Sequence, residues 1–193
     1  FVNYSQFEGV SADCKIYVPD GTYDAYVTAD GWAQYKDMIV NPNSTPAPAT
    51  QSQIFYTSTD GNIVTPYSTS AFLDANGNVL NIVSNTYENG QGVITIDGEL
   101  KVIGYGAFRS QDNLASMILP EGITSLEGGT FANCDYVTNI TLPNTLTSIG
   151  QSTFYQCYAL DGIEIPTSCT TIGAQAFEDC WSLTNIVLPD GIT

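Results

Sequence analysis

Thiols at regular spacing are the first candidates for chemistry in this sequence. Cys134, Cys157 and Cys180 recur every 23 residues, which would suit a ladder of thiolate metal ligands or disulfides between stacked turns. The chain has five cysteines, an odd number, and no C-x-x-C pair to supply a two-ligand bite. Cys169 shares its repeat position with Ile123, Leu146 and Ile192, and Gln111 stands where the first repeat would carry its thiol. That exchange pattern reads as small buried hydrophobes, the usual state of a free cysteine. Cys14 reads as a further free thiol, although an extracellular setting ordinarily favours disulfides.

The carboxylates offer less. Asp74–Asn78, "DANGN", starts like a calcium loop. Its sixth position is Val79 where glycine is needed, and its twelfth is Asn85 where an acid is needed. A hairpin turn is the expected role, and no cofactor is expected, with loosely bound calcium on clustered carboxylates left open. Histidine is absent, so imidazole general bases, Ser–His pairs and imidazole metal ligands are excluded. A carboxylate-pair glycosidase would need two acids about 5–10 Å apart in a cleft, and a regular array offers none. The chain is read as non-catalytic.

Lys15, Lys36, Lys101 and Arg109 are the only basic residues against 20 acidic ones, for a net charge of −16. Four scattered cations cannot neutralise a run of phosphates, and the net field repels nucleic acid and anionic lipid. No apolar run approaches the roughly 20 residues that span a bilayer, so membrane insertion is not expected. No basic, apolar signal segment is visible, and the sequence begins inside a structural pattern, as a mature protein or a fragment would.

The elements that position these residues follow from an internal repeat. Phe108, Phe131, Phe154 and Phe177 recur every 23 residues, as do Leu114, Val137, Leu160 and Leu183, and Pro120, Pro143, Pro166 and Pro189. Ile103-Gly104, Ile149-Gly150 and Ile172-Gly173 keep the same period, with Leu126 in the second copy. Within each copy, alternation points Ile163 and Ile165 inward and Glu164 outward. Proline closes that strand without removing an interior hydrogen bond. The Ile-Gly pair gives a second short strand ended by a tight bend, and the Phe falls on an irregular or helical return. One unit cannot bury its own Phe and Leu, so neighbours must stack and share a core. The fold expected is a β-rich solenoid with short helical or irregular returns.

The order L-x-x-I-x-L-P followed by S-I-G-x-x-x-F-x-x-C, as in "TSIGQSTFYQCYALDGIEIP" and "LTNIVLPDGIT", resembles the BspA-like leucine-rich repeats of bacterial surface proteins. The resemblance covers residues 101–193 and extends to 1–40, where "CKIYVPDGTYDAYVTADGWAQYKDMIV" looks like the terminal cap of such an array. It implies a secreted or cell-surface bacterial protein that binds host matrix proteins or other cells, hence an extracellular or cell-surface location and a protein or host-surface ligand.

The chain then divides into four parts. Residues 1–40 hold the end of a repeat array and a short helical cap, with Tyr23, Tyr26, Trp32, Tyr35 and Ile39 spaced for an inner helical face. Residues 41–52, with Pro42, Pro46 and Pro48, form a proline-rich linker. Residues 53–100 are a β-hairpin cap with Asp60-Gly61, Asn76-Gly77 and Asn89-Gly90 as turns; it shields the first repeat's open edge. Residues 101–193 are four repeats, the last incomplete.

The outward strand positions Ser116, Ile118, Asn139, Thr141, Gly162, Glu164, Asn185 and Val187 should align on one face, the candidate partner surface against a merely solvated sheet. Reading Phe1 as the successor of Thr193 keeps the repeat in phase, with Val2 in the Ile slot and Phe7 in the Phe slot. Three arrangements satisfy this: one unit of a longer tandem protein, head-to-tail stacking of copies, or fold-back of residues 1–40 onto their own chain. In an assembly, residues 1–19 would complete the repeat that breaks at Thr193, through Val2, Phe7, Val18, Phe177, Ile186, Leu188 and Ile192. That gives a structural alternative, a filament or spacer in which binding is incidental.

Overall fold

The 23-residue spacing becomes backbone register. The structure, a computed structural model, describes residues 16–17, 39–40 and 51–192, in two units, Phe1–Ala49 and Thr50–Thr193. In the first unit β1 (Ile16–Tyr17) pairs in parallel with β2 (Ile39–Val40), Ile16 opposite Ile39. Ile39 is therefore extended and not on a helix face: a β-branched Ile-Val pair takes a ladder partner one repeat length away. The helical cap gains no support, since no helix occurs among the described residues. Val2, Phe7, Cys14, Val18, Tyr23, Tyr26, Trp32 and Tyr35 lie outside those residues.

The second unit opens with antiparallel strands. β3 (Gln51–Ser58) starts inside the stretch read as linker and pairs with β6 (Gln91–Asp97), which also pairs with β5 (Ile82–Glu88). Asn89 and Gly90 join β5 to β6 at φ 53° and 84°, the left-handed pair that a two-residue hairpin demands. Asn76-Gly77 also sits in a tight turn, closed by Leu73 bridging Val79 beyond β4 (Phe72–Leu73). Asp60-Gly61 does not make a hairpin. Both neighbours of β3 are taken by other strands, so the chain after Ser58 bends at Asp60 and crosses over to β4. On the way Val64 donates its amide to the Tyr56 hydroxyl, and its carbonyl accepts from Asn85.

From residue 101 the strands are parallel and step by one repeat. β7 (Val102–Ile103), β9 (Ser125–Leu126), β11 (Ser148–Ile149) and β13 (Thr171–Ile172) form one ladder, opened by antiparallel β4. A second side holds β8 (Leu114–Ile118), β10 (Asn139–Thr141), β12 (Ile163–Glu164) and β14 (Ile186–Val187), opened by antiparallel β3. Both ladders of the array thus begin on strands of the preceding segment, which pairs backbone groups that would otherwise form an open edge. β10 and β12 are joined only by the Asn139–Gly162 bridge.

The returns between the two sides are turns, and they repeat as strictly as the strands. Gly106, Gly129, Ser152 and Gln175 all have φ between 54° and 63°, and Ser110, Asn133, Gln156 and Asp179 between 56° and 61°. Left-handed φ at non-glycine residues is strained, and here each coil's turn amides donate to the next coil, as Phe108 to Thr130 (2.8 Å) and Asn133 to Tyr155 (2.8 Å). The Ile-Gly glycines serve close approach, not positive φ: a Cβ on Gly150 would stand 2.7 Å from the Glu127 carbonyl carbon, and one on Gly173 2.4 Å from the Gln151 nitrogen.

The interior is a column of phenylalanines. Phe108, Phe131, Phe154 and Phe177 stack with centroids 5.5, 5.5 and 5.2 Å apart and ring planes within 13° of parallel. Phe72, which the repeat did not point to, continues the column edge-on at 5.8 Å from Phe108. Leu114, Val137 and Leu160, with Ile123, Leu146 and Cys169, are fully buried alongside. Inward Ile163 and Ile165 are buried while Glu164 between them is exposed. Truncating a mid-column ring leaves a void between two rings held by rigid coils. Phe131→Ala should therefore cost about 3–5 kcal/mol of unfolding free energy, measured by urea denaturation; a loss below about 1 kcal/mol would contradict the column as the main stabilising contact.

Candidate functional site

The outward strand positions come together as the alternation requires. In the ladders Ser116 lies beside Asn139, Ile118 beside Thr141, and Glu164 beside Val187, while Asn139 bridges to Gly162. Six of the eight expected residues, Asn139, Thr141, Gly162, Glu164, Asn185 and Val187, line one groove of about 740 Å³. Ser116 and Ile118 lie outside it. β3 pairs against β8, so Ser116 is half-buried and exchanges a 2.6 Å hydrogen bond with Thr57, and Ile118 stands opposite Phe55. The cap, which sequence reading assigned to edge protection alone, thus borders the first repeat's share of this face and ties up Ser116, while Ile118 stays 49% exposed.

The groove exists because of one residue. Along the outward slot the side chains run Ser116, Asn139, Gly162, Asn185, and a Cβ built on Gly162 would meet nothing within 4 Å. The missing side chain leaves a gap between two asparagines, at the isolated bridge that joins β10 to β12. Asp161 and Glu164 line the gap together with Ile163, Ile165 and Leu142, and no cation does. Sequence reading did not pick out Asp161 or Thr184. The visible signal was a lone glycine in a slot that otherwise holds Ser or Asn.

On the assembly side Phe177 and Ile192 are half-buried, while Ile186 is 37% and Leu188 53% exposed. These residues cluster around β14, at the far end of the phenylalanine column. What they would contact in residues 1–19 lies outside the described residues, apart from the β1 backbone.

The cysteines form a ladder, reduced and inward. Cys134, Cys157, Cys169 and Cys180 are free thiols. Cys134 donates its Sγ–H to the Phe108 carbonyl (3.0 Å), Cys157 to Phe131 (3.2 Å) and Cys180 to Phe154 (3.1 Å). Each thiol thereby satisfies a carbonyl of the coil before it, a function of cysteine that apolar substitution would not supply. Burial pushes the Cys134 thiol up to about 12 and Cys180 to about 11, with Cys157 and Cys169 also raised by burial. Among the described residues no group of three or more Cys, Asp or Glu side chains is placed to hold a metal ion. Asp74 caps its own turn, accepting from the Asn76 and Asn78 amides and the Asn78 side chain; these bonds, the Asn78 side chain's first, hold its carboxyl below the usual range.

The profile of a family described as "BspA type Leucine rich repeat region" matches residues 81–193 in six copies. That span is more than half of the chain and takes in the β5–β6 hairpin. Among solved structures, a leucine-rich-repeat protein of T. pallidum is 30% identical, with a TM-score of 0.47, covering 48% of this chain and 44% of that one. A leucine-rich-repeat protein of Bacteroides ovatus is 28% identical, with a TM-score of 0.47, covering 56% and 27%. A leucine-rich cell surface protein of Faecalibacterium prausnitzii is 30% identical, with a TM-score of 0.41, covering 46% and 29%. The chain spans less than half the length of each of these proteins. No curated protein matches it.

The thiol ladder has a pH signature. A thiol held at about 12 in the fold and near 8.5 when unfolded keeps its proton longer in the native state. Its contribution to stability is therefore complete below pH ~8.5 and is lost as pH rises toward the folded value. The stability advantage of the native protein over Cys134→Ala, read from thermal midpoints, should hold from neutral pH to pH ~8.5 and narrow steadily from there to pH ~10.5. A gap that is constant or widens over that upper range would contradict the assignment.

Proposed function

Since the chain belongs to the BspA-type leucine-rich-repeat family, whose repeats are protein-interaction modules, we propose that it is a non-catalytic, cell-surface or secreted adhesion module that binds a host-surface protein through the β10–β12–β14 face. The observation that carries this reading is the Gly162 groove. It is a concave strip on an otherwise regular sheet face, lined by exposed apolar Val187 and by the carboxylates of Asp161 and Glu164. Exposed Val187 (78%) supplies the apolar contact area that a solvated face lacks a reason to keep. The paired acids and the net charge of −16 favour a partner whose contacting residues are basic, with charge setting the encounter rate and apolar burial the lifetime. Several such modules on one surface would add avidity.

Gly162 provides a clean test. Its φ is ordinary and its Cβ position is open, so Gly162→Tyr fills the groove with little effect on folding, within about 0.5 kcal/mol. Binding of labelled protein to intact epithelial cells should fall roughly tenfold or more in Gly162→Tyr, and also in Glu164→Lys. Tyr136→Ala, away from the groove, should bind as the native protein does. Cell binding that is indifferent to both groove variants would reject this face.

A second reading, a filament or spacer built by head-to-tail stacking, is favoured by the β1–β2 register. Ile16 pairs with Ile39 across the same 23-residue step that the array uses. In this reading residues 1–19 of one copy complete the coil that begins at Leu183 in another. Deleting residues 1–19 should convert assemblies to single chains in analytical ultracentrifugation, leaving cell binding per chain unchanged. Assemblies of undiminished size after the deletion would end this reading.

A further inference from the structure

A second concavity lies on the turn side of the repeats, away from the strand face. It has a volume of about 520 Å³, inside the range of roughly 300–1,000 Å³ usual for small-molecule sites. The slots explain its shape. At one turn position successive repeats carry Tyr105, Gly128 and Gln151, and four residues later Arg109, Ala132 and Tyr155. Large side chains on the first and third coils flank Gly128 and Ala132 of the second at these two positions. The trough runs over the second coil, with coils about 4.8 Å apart, and the Tyr105 ring lies along part of it.

Tyr105 makes its floor and one wall. Its Cδ2 and Cε2 lie 3.4 Å from where a Gly128 Cβ would stand, and its Cζ 4.0 Å from the corresponding point on Gly129. The ring therefore rests along the backbone of both glycines, yet it is 69% exposed. An aromatic ring that is supported from below and open to water is a stacking platform, whose negative π-face attracts polarised C–H groups and cations. Arg109 stands beside it. Lys101 is paired with Glu99, and Arg109 has no ion-pair partner among the described residues. The lining contains no carboxylate at all, in a chain with 20 acidic residues. An anion in this trough would thus meet Arg109 with no carboxylate in the lining, and charges farther than about 8 Å, among the acids outside it, are largely screened.

We propose that this trough binds a pyranose ring bearing a carboxylate, as in a uronic-acid-containing glycan. The sugar's apolar face stacks on Tyr105, Tyr155 borders its far edge, the Arg109 guanidinium forks onto the carboxylate, and Gln151 reaches the hydroxyls. The site is independent of the Gly162 groove and stands whether or not that face binds protein. A single ring makes few contacts, so affinity for one residue falls in the millimolar range, and strength would come from repeated sugars meeting repeated modules.

Ligand-observed saturation-transfer NMR with methyl β-D-glucuronide, and methyl β-D-glucoside as the neutral counterpart, tests this on the full chain. Saturable glucuronide binding at least fivefold tighter than glucoside is expected. Tyr105→Ala and Arg109→Gln should each weaken it roughly tenfold, with circular dichroism and thermal midpoint unchanged, because both side chains are exposed. Gly162→Tyr and Tyr136→Ala should leave it intact. No saturable glucuronide binding, equal binding of the two sugars, or glucuronide binding that survives Tyr105→Ala would each overturn the proposal. If Tyr105→Ala lowers the thermal midpoint, Tyr105→Phe and Arg109→Lys serve instead: the first should keep binding because the stacking ring is retained, and the second should lose most of it because the fork is gone. The reverse pattern counts against the site.

Discussion

No single coil of this chain can bury its own phenylalanine, and that constraint governs the rest of the structure. A ring such as Phe131 has its faces covered only because Phe108 and Phe154 lie 5.5 Å to either side with nearly parallel planes. Parallel stacking at that separation requires consecutive coils to be near copies of one another, which fixes the repeat length and the turn conformation. The two left-handed positions per coil follow. Gly, Ser, Gln, Asn and Asp take them in turn, and inter-coil hydrogen bonds from the same turns sustain the strain. Phe72 shows how the column starts: a ring turned edge-on, from a strand that runs antiparallel to the first repeat.

A backbone constrained in this way leaves side-chain size in each slot as the main variable on the surface. Where a large slot is filled by glycine, a depression opens at no cost to the coil. Gly162 does this on the strand side; on the turn side Gly128 seats the Tyr105 ring, and the depression lies above it. The two depressions differ in character: Asp161 and Glu164 line the first, and Arg109 with two tyrosines lines the second. The same logic accounts for the thiols. Cysteine in the turn slot is small enough for the interior and still supplies a donor for the carbonyl of the preceding Phe, so Cys134, Cys157 and Cys180 form a ladder of satisfied, inward thiols.

Much of this was legible from spacing. The Phe, Leu and Pro periods predicted a shared interior, and alternation around Glu164 predicted which residues face out. Other features were not legible, for reasons that lie in contacts distant along the chain. Asp60-Gly61 reads as a hairpin dipeptide, yet β3 already has β6 and β8 as neighbours and leaves no place for a returning strand. Ile39 falls at a helical spacing from Trp32 and Tyr35, yet pairs in a ladder with Ile16. Ser116 alternates correctly for the open face, but Thr57 of β3 engages its hydroxyl, while Ile118 beside it stays exposed.

By itself the sequence determined the period, the stacked column and the identity of the outward slots, because these depend on residues repeated at one fixed interval and on the two-residue alternation of a strand. Only the tertiary structure decided which outward residues stay uncovered, which glycines open space and which permit close approach, and that Arg109 and the exposed Tyr105 line one depression. Those outcomes depend on which coil lies next to which side chain. A glycine letter is the same at Gly150, where a Cβ would strike the preceding coil, and at Gly162, where it would meet only open space.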